Sequence, residues 1–195
     1  MTMQKLTLDD IKDLREYERE RDEFRRHIVA MKKRRRVQLG DLLTITFENT
    51  DTMRFQIQEM ARIERMLTDD QIRGEVDTYN QLVPDANELS GTLFVEIDNK
   101  ERLYEWLPKL VGIQRAVSIW LQDGSSVASV AEDEERLTRE ETTTTVHYLK
   151  FAFTPEQVDA FASGPVRIVV DHPNYDAVVE LTEEQRSELV GDLRD

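Results

Sequence analysis

Thr142-Thr143-Thr144-Thr145-Val146-His147-Tyr148-Leu149-Lys150-Phe151-Ala152-Phe153 sets His147, Leu149, Phe151 and Phe153 on one side of an extended chain and Tyr148 and Lys150 on the other. A period of two, carried by β-branched and aromatic residues, predicts a half-buried strand. Immediately after it, Thr154-Pro155-Glu156 opens a helix with proline at the first helical position, and Ser163-Gly164-Pro165 closes it. Residues 166–171 and 175–181 then read as a hairpin around His172-Pro173-Asn174, and Thr182 caps a last helix to about residue 193.

Upstream the same alternation recurs. Residues 92–98 set Leu93, Val95 and Ile97 against Phe94 and Glu96, and residues 116–122 and 125–131 flank Asp123-Gly124, a hairpin turn. Residues 100–107 predict a short helix ended by Pro108, and residues 131–141 an acidic loop. Gly40-Asp41 turns the chain into a strand over 42–48, and Asn49-Thr50-Asp51 supplies caps for a helix over 52–67. A second helix over 68–82, stopped by Pro84, completes an αα-hairpin, with Ile72, Val76, Tyr79 and Val83 as its buried stripe. The chain opens on a long charged helix, expected over 8–34 with Thr7 as its cap and Asp10 three positions on. Ile11, Leu14, Tyr17, Phe24, Ile28 and Met31 form its stripe, which Arg21 interrupts. The prediction is an α+β fold: one domain over 1–195, a mostly antiparallel sheet with helices packed on it, and residues 7–36 as the long helix.

Composition narrows the chemistry. With no cysteine there is no disulfide, no thiolate nucleophile and no Cys-bound zinc or iron–sulfur cluster on the chain itself. No stretch approaches the roughly 20 apolar residues that span a bilayer. The N-terminus meets acidic residues at once and has no apolar secretory core, so a cytoplasmic location is expected. The net charge of −14 is uneven: residues 21–36 hold eight cations against Asp22 and Glu23, which leaves −20 elsewhere. Such a surface repels phosphate backbones, and nucleic acid is not the expected partner. The basic run Lys32-Lys33-Arg34-Arg35-Arg36 reads either as a screened helix C-terminus or as a contact for an acidic protein partner.

On the helix over 52–67, Arg54, Gln58, Arg62 and Arg65 fall on the side expected to face water. The opposite arc holds Met53, Ile57, Met60, Ile63 and Leu67, and Gln56, Glu59 and Glu64 lie within it. Carboxylates on a buried arc require arginine, backbone donors or a cation. His147 and His172 each continue an apolar strand face. Two readings follow: structural hydrogen bonding, or a metal site in which Glu59, Glu75 or Glu96 joins the two imidazoles around iron, zinc or manganese. Asp171 and His172 point to opposite faces of one strand, which disfavours an acid–base pair. No Gly-x-Ser-x-Gly, P-loop, His-Glu-x-x-His or Glu-x-x-His occurs, so nothing here promotes an enzyme.

Asp13-Leu14-Arg15-Glu16-Tyr17-Glu18, Phe55-Gln56-Ile57-Gln58-Glu59-Met60, Asp77-Thr78-Tyr79-Asn80, Val146-His147-Tyr148 and Asp171-His172-Pro173-Asn174-Tyr175 together resemble a bacterial family known only as a domain of unknown function. The resemblance spans nearly the whole chain and carries no catalytic residues with it. It implies company with rubrerythrin-like and iron–sulfur oxidoreductase proteins, hence an accessory role beside a redox or peroxide-handling partner. The functional expectation is a cytoplasmic binding or accessory protein, dimeric through its N-terminal helix; the alternative is a His–carboxylate metal protein or metalloenzyme.

Overall fold

Asp13, not Thr7, starts the long N-terminal helix. The computed structural model describes residues 5–132 and 142–194. Thr7 and Asp10 do form a capping box, but it closes only a 3-10 turn, Leu8–Asp10. The chain then straightens, and α1 (Leu14–Arg35) begins where the Asp13 carboxylate accepts from the Arg15 and Glu16 amides. Gln58, expected to face water, is buried and holds this break. Its amide accepts from Lys12 N–H (2.8 Å) and donates to Lys12 C=O (3.1 Å), as a neighbouring strand would.

From α1 the chain passes without a loop into β1 (Arg36–Leu39), then through Gly40, at φ 71°, into β2 (Leu43–Glu48). α2 (Thr50–Glu64) is capped by Asn49, and α3 (Asp69–Asn80) by Thr68. Arg65, in the left-handed conformation, turns one into the other, completing the αα-hairpin. β3 (Glu88–Val95), α4 (Lys100–Lys109), β4 (Val117–Trp120), β5 (Ser126–Ala128) and β6 (Val130–Glu132) follow. The second stretch holds β7 (Val146–Ala152), α5 (Pro155–Ser163), β8 (Arg167–His172), β9 (Tyr175–Glu180) and α6 (Glu183–Arg194).

The fold is α+β, but its strands form two antiparallel sheets where the sequence predicts one. Five run in the order β1-β2-β3-β7-β6 and four in the order β5-β4-β8-β9. The physical reason is Ser129. It interrupts the run read as one strand over 125–131, donating its amide to Val117 C=O and its hydroxyl to Gln114 C=O. β5 therefore stays beside β4, while β6 swings onto β7. The acidic loop expected over 131–141 lies, from residue 133 on, outside the described residues.

One core is shared by the two inner faces. Leu43, Ile45, Phe47, Leu93 and Phe151 of the larger sheet join Ile119, Ile168 and Val170 of the smaller, with Phe161 of α5 and Leu189 of α6. On the other face of the larger sheet, Met53, Ile57, Val76 and Val83 of the helical hairpin region form a second cluster, against which Tyr148 packs. That face is polar: Thr44, Thr46, Glu48, Ser90 and Thr92 are all buried there. Among the described residues, no helix is long and apolar enough to cross a membrane.

Candidate functional site

Arg21 and Glu59 each interrupt an apolar stripe on their own helix, and the fold sets the two interruptions against each other. Arg21 Nε and Nη2 reach the two Glu59 oxygens at 2.7 and 3.0 Å, a bidentate pair. Tyr17 donates its hydroxyl to Glu59 Oε1 at 2.8 Å, and Arg62 stands 3.4 Å away. The Arg21 guanidinium, against the opposing effect of burial and with help from Tyr17, holds the Glu59 carboxyl down to about 2. Burial and the Glu59 hydrogen bond push the Tyr17 phenol well up. The carboxylate expected to want a cation has found one on α1.

Beside this network a groove of 560 Å³ runs along the α1–α2 seam, lined by Lys12, Tyr17, Glu20, Glu23, Phe24, His27, Arg54 and Gln58, with Asp10 at its end. Its cations are engaged within the chain. Lys12 is held by Glu20 at 2.5 Å and Glu16 at 3.6 Å. The Glu20 carboxylate raises the Lys12 ammonium above its ordinary value. Arg54 pairs with Asp51 at 3.0 Å and lies 4.9 Å over the Phe24 ring, while His27 is 3.9 Å from Asp51. Glu23 makes no ion pair among the described residues, so the groove presents an uncompensated carboxylate beside an aromatic face.

The histidines and the other carboxylates lie apart from this seam. His147 is buried on β7, where its Nε2 is 2.9 Å from Thr143 Oγ1. His172 ends β8 in the other sheet. Its Nε2 faces Val111 C=O at 2.9 Å and its Nδ1 accepts from the Asn174 amide, so both ring nitrogens of the neutral form are in use. Glu96, just past β3, takes Arg36 Nη2 on both its oxygens and also the Thr44 hydroxyl. Glu75, on α3, is raised by burial and by the nearby Glu64 carboxylate. No group of three or more His, Asp or Glu side chains able to hold a metal ion forms among the described residues. The expected set of His147, His172, Glu59, Glu75 and Glu96 is not brought together.

Of the basic run, Arg35 turns inward. Arg35, only 1% exposed, ion-pairs with Asp192 and Glu188 of α6 and donates to the carbonyls of Phe47 and Glu48. Arg34 reaches Glu188 at 2.9 Å, and Arg36 reaches Glu96 at 2.5 Å. Lys32 stands 3.8 Å from Glu48, whose other oxygen accepts from Thr92. Lys33 alone of the five faces solvent without an ion pair among the described residues. Burial pushes the Glu188 carboxyl up, and Arg34 and Arg35 together outweigh it, leaving it below the usual range. Sequence reading missed Arg35 and Gln58 as buried anchors. The available clue was the acidic surplus of the last helix, where Glu188 and Asp192 lie four residues apart.

Tyr175 is likewise structural. Its hydroxyl donates to Leu39 C=O at 2.6 Å and accepts from the Leu42 amide, tying the β1–β2 turn to the smaller sheet.

A family model described as protein of unknown function (DUF3501) matches residues 5–193. A crystal structure from Burkholderia pseudomallei K96243, of a novel protein of unknown function, superposes with a TM-score of 0.90 at 34% identity, covering 97% of this chain and 100% of that one. A comparison with curated proteins finds no match.

Proposed function

The chain belongs to the family described as protein of unknown function (DUF3501), and since membership assigns no chemistry, we propose from its geometry a binding protein, accessory to a protein partner. The α1–α2 groove receives a basic segment of that partner. One observation carries the reading: the groove's own cations are already paired, whereas Glu23, exposed beside Phe24, makes no ion pair among the described residues. A lysine or arginine of the partner meets the Glu20–Glu23 edge, and its aliphatic stem or an adjacent apolar residue lies on Phe24. The titratable groups beside the groove, Tyr17, Arg21 and Glu59, keep the two helices at fixed separation. The resemblance directs the search first to redox and peroxide-handling partners.

A photo-crosslinking residue at position 27 tests this in the cells that make the protein. The expected result is a discrete adduct that disappears when Glu20 and Glu23 are both changed to lysine. An adduct unchanged by that double reversal, or adducts only from a control crosslinker at position 178, overturns the groove as the docking site.

A further inference from the structure

The outer face of the larger sheet carries side chains suited to water, yet it is covered. Glu48, Ser90 and Lys150 stand in one row across β2, β3 and β7, and Thr46, Thr92 and Tyr148 in the next. Of these, Glu48, Ser90, Thr46 and Thr92 are buried. An antiparallel sheet with its core on one side ordinarily turns such residues to solvent on the other. The covering is also incomplete in chemical terms. Glu48 Oε2 and Ser90 Oγ have no hydrogen-bond partner among the described residues, and Lys32 stands beyond bonding reach of the carboxylate at 3.8 Å. Buried oxygens in that state weaken the cover that buries them.

The α2–α3 hairpin supplies that cover. Tyr148 packs against its apolar cluster, which is separate from the main core. Residues 5–12 are fastened to the hairpin by side-chain amides: Asn80 exchanges two hydrogen bonds with the Leu6 backbone, as Gln58 does with Lys12. By contrast, α1 is fixed to the sheet through Arg35 and runs into β1 without a loop. The hairpin is tied to α1 by the Arg21–Glu59–Tyr17 network and by the edge contact of Phe24 with Phe55.

We propose that α2 and α3, with residues 5–12 attached, form a lid that lifts from the polar face as one unit, hinged at Asn49, at residues 84–87 and at the break before Asp13. Opening brings water to Glu48, Ser90 and Thr92 and leaves the main core closed. The Arg21–Glu59 pair is the latch. Such a lid needs no partner in the α1–α2 groove, so it stands or falls independently of the partner reading.

The chain has no cysteine, so a single introduced thiol reports only its own surroundings. Ser90→Cys replaces one atom at a group that bonds nothing, and Thr92→Cys is a second reporter on the same face. Val170→Cys, in the core between the sheets, is the reference. Each variant is reacted with a thiol reagent under native conditions, and its rate is divided by the rate in unfolding urea. Positions 90 and 92 should label at least about 100-fold faster than position 170, and their rates should vary little with urea below the midpoint, where that of position 170 rises steeply. Adding Glu59→Gln should speed labelling at position 90 by about 10-fold or more. Equal rates at all three positions, or rates at 90 and 92 as steep in urea as that at 170, overturn the lid. A rate at position 90 unchanged by Glu59→Gln overturns the latch, and the proposal with it.

Discussion

Replacing Arg35 by methionine removes one guanidinium from a site where it meets two carboxylates and two backbone carbonyls. Methionine fills much the same volume, so packing is largely kept and the electrostatic loss dominates. Asp192 loses the guanidinium at a buried position, and Glu188 keeps only Arg34. Breaking a buried pair in this way costs about 3–5 kcal/mol, because the surviving charge stays desolvated. At a urea dependence of about 2–3 kcal/mol per molar for a chain of this size, the unfolding midpoint should fall by roughly 1–2 M. Arg34→Met is the control: its side chain is 38% exposed and Glu188 keeps Arg35, so it should cost less than about 1 kcal/mol. The combination of Arg35→Met, Glu188→Gln and Asp192→Leu should recover most of the loss, since apolar substitutes for a whole buried cluster are often neutral. Chemical denaturation monitored by circular dichroism reads all three. A loss below about 1 kcal/mol for Arg35→Met, or a triple variant weaker than the single one, refutes the latch.

Glu59 is held down to about 2, below its unfolded value of 4.5. A depressed carboxyl contributes stability that is complete above pH 4.5 and lost as pH falls toward 2, a change on the order of 3 kcal/mol. Glu59→Gln should flatten that part of the acid-denaturation profile, and an unchanged profile would remove Glu59 from the account. Gln58→Ala should cost about 1–3 kcal/mol and speed hydrogen exchange of the Lys12 amide, whose acceptor is the Gln58 side chain; exchange by NMR at Lys12 is the check. Tyr175→Phe leaves Leu39 C=O without its donor and Leu42 N–H without its acceptor, an expected loss of about 1–3 kcal/mol by thermal or urea unfolding. Dialysis against a chelator should leave the melting temperature unchanged, since both His172 nitrogens already serve hydrogen bonds. A drop of several degrees, restored by zinc, iron or manganese, would reinstate the metal reading.

The strands and caps were legible because their rules are local. Thr68, Thr154 and Thr182 each accept from the amide three residues on, as their spacing predicts, and Asp123-Gly124 makes its hairpin. The failures share one cause: a side chain's fate was set by something distant in sequence. Gln58 looks polar and outward on a wheel, yet a straightened piece of backbone at Lys12 lies against it. Ile63 and Leu67 satisfy the apolar period, yet they stand 64% and 81% exposed. Ser129 reads as one polar step in a strand, while its hydrogen bonds to Gln114 and Val117 send the chain from one sheet to the other. At the candidate site, Glu59 was visible as a carboxylate in want of company. Its company was Arg21, which the same reading noted only as a defect in the first helix. The histidines were read on the right strand faces, but a face does not specify neighbours. Thr143 and Val111 took the places that ligands would need.

The Arg35 clasp joins residues 157 positions apart. During synthesis at about 5–20 residues per second, the first helix and its attached strands leave the ribosome roughly 10–30 s before the acids that will neutralise that guanidinium exist. For that interval the nascent segment carries a strong positive stub, an incomplete sheet with an open edge, and no final helix to seal it. Truncation anywhere upstream of residue 188 would leave that guanidinium without either of its two carboxylates. Maturation of this buried site is therefore completed from the last dozen residues.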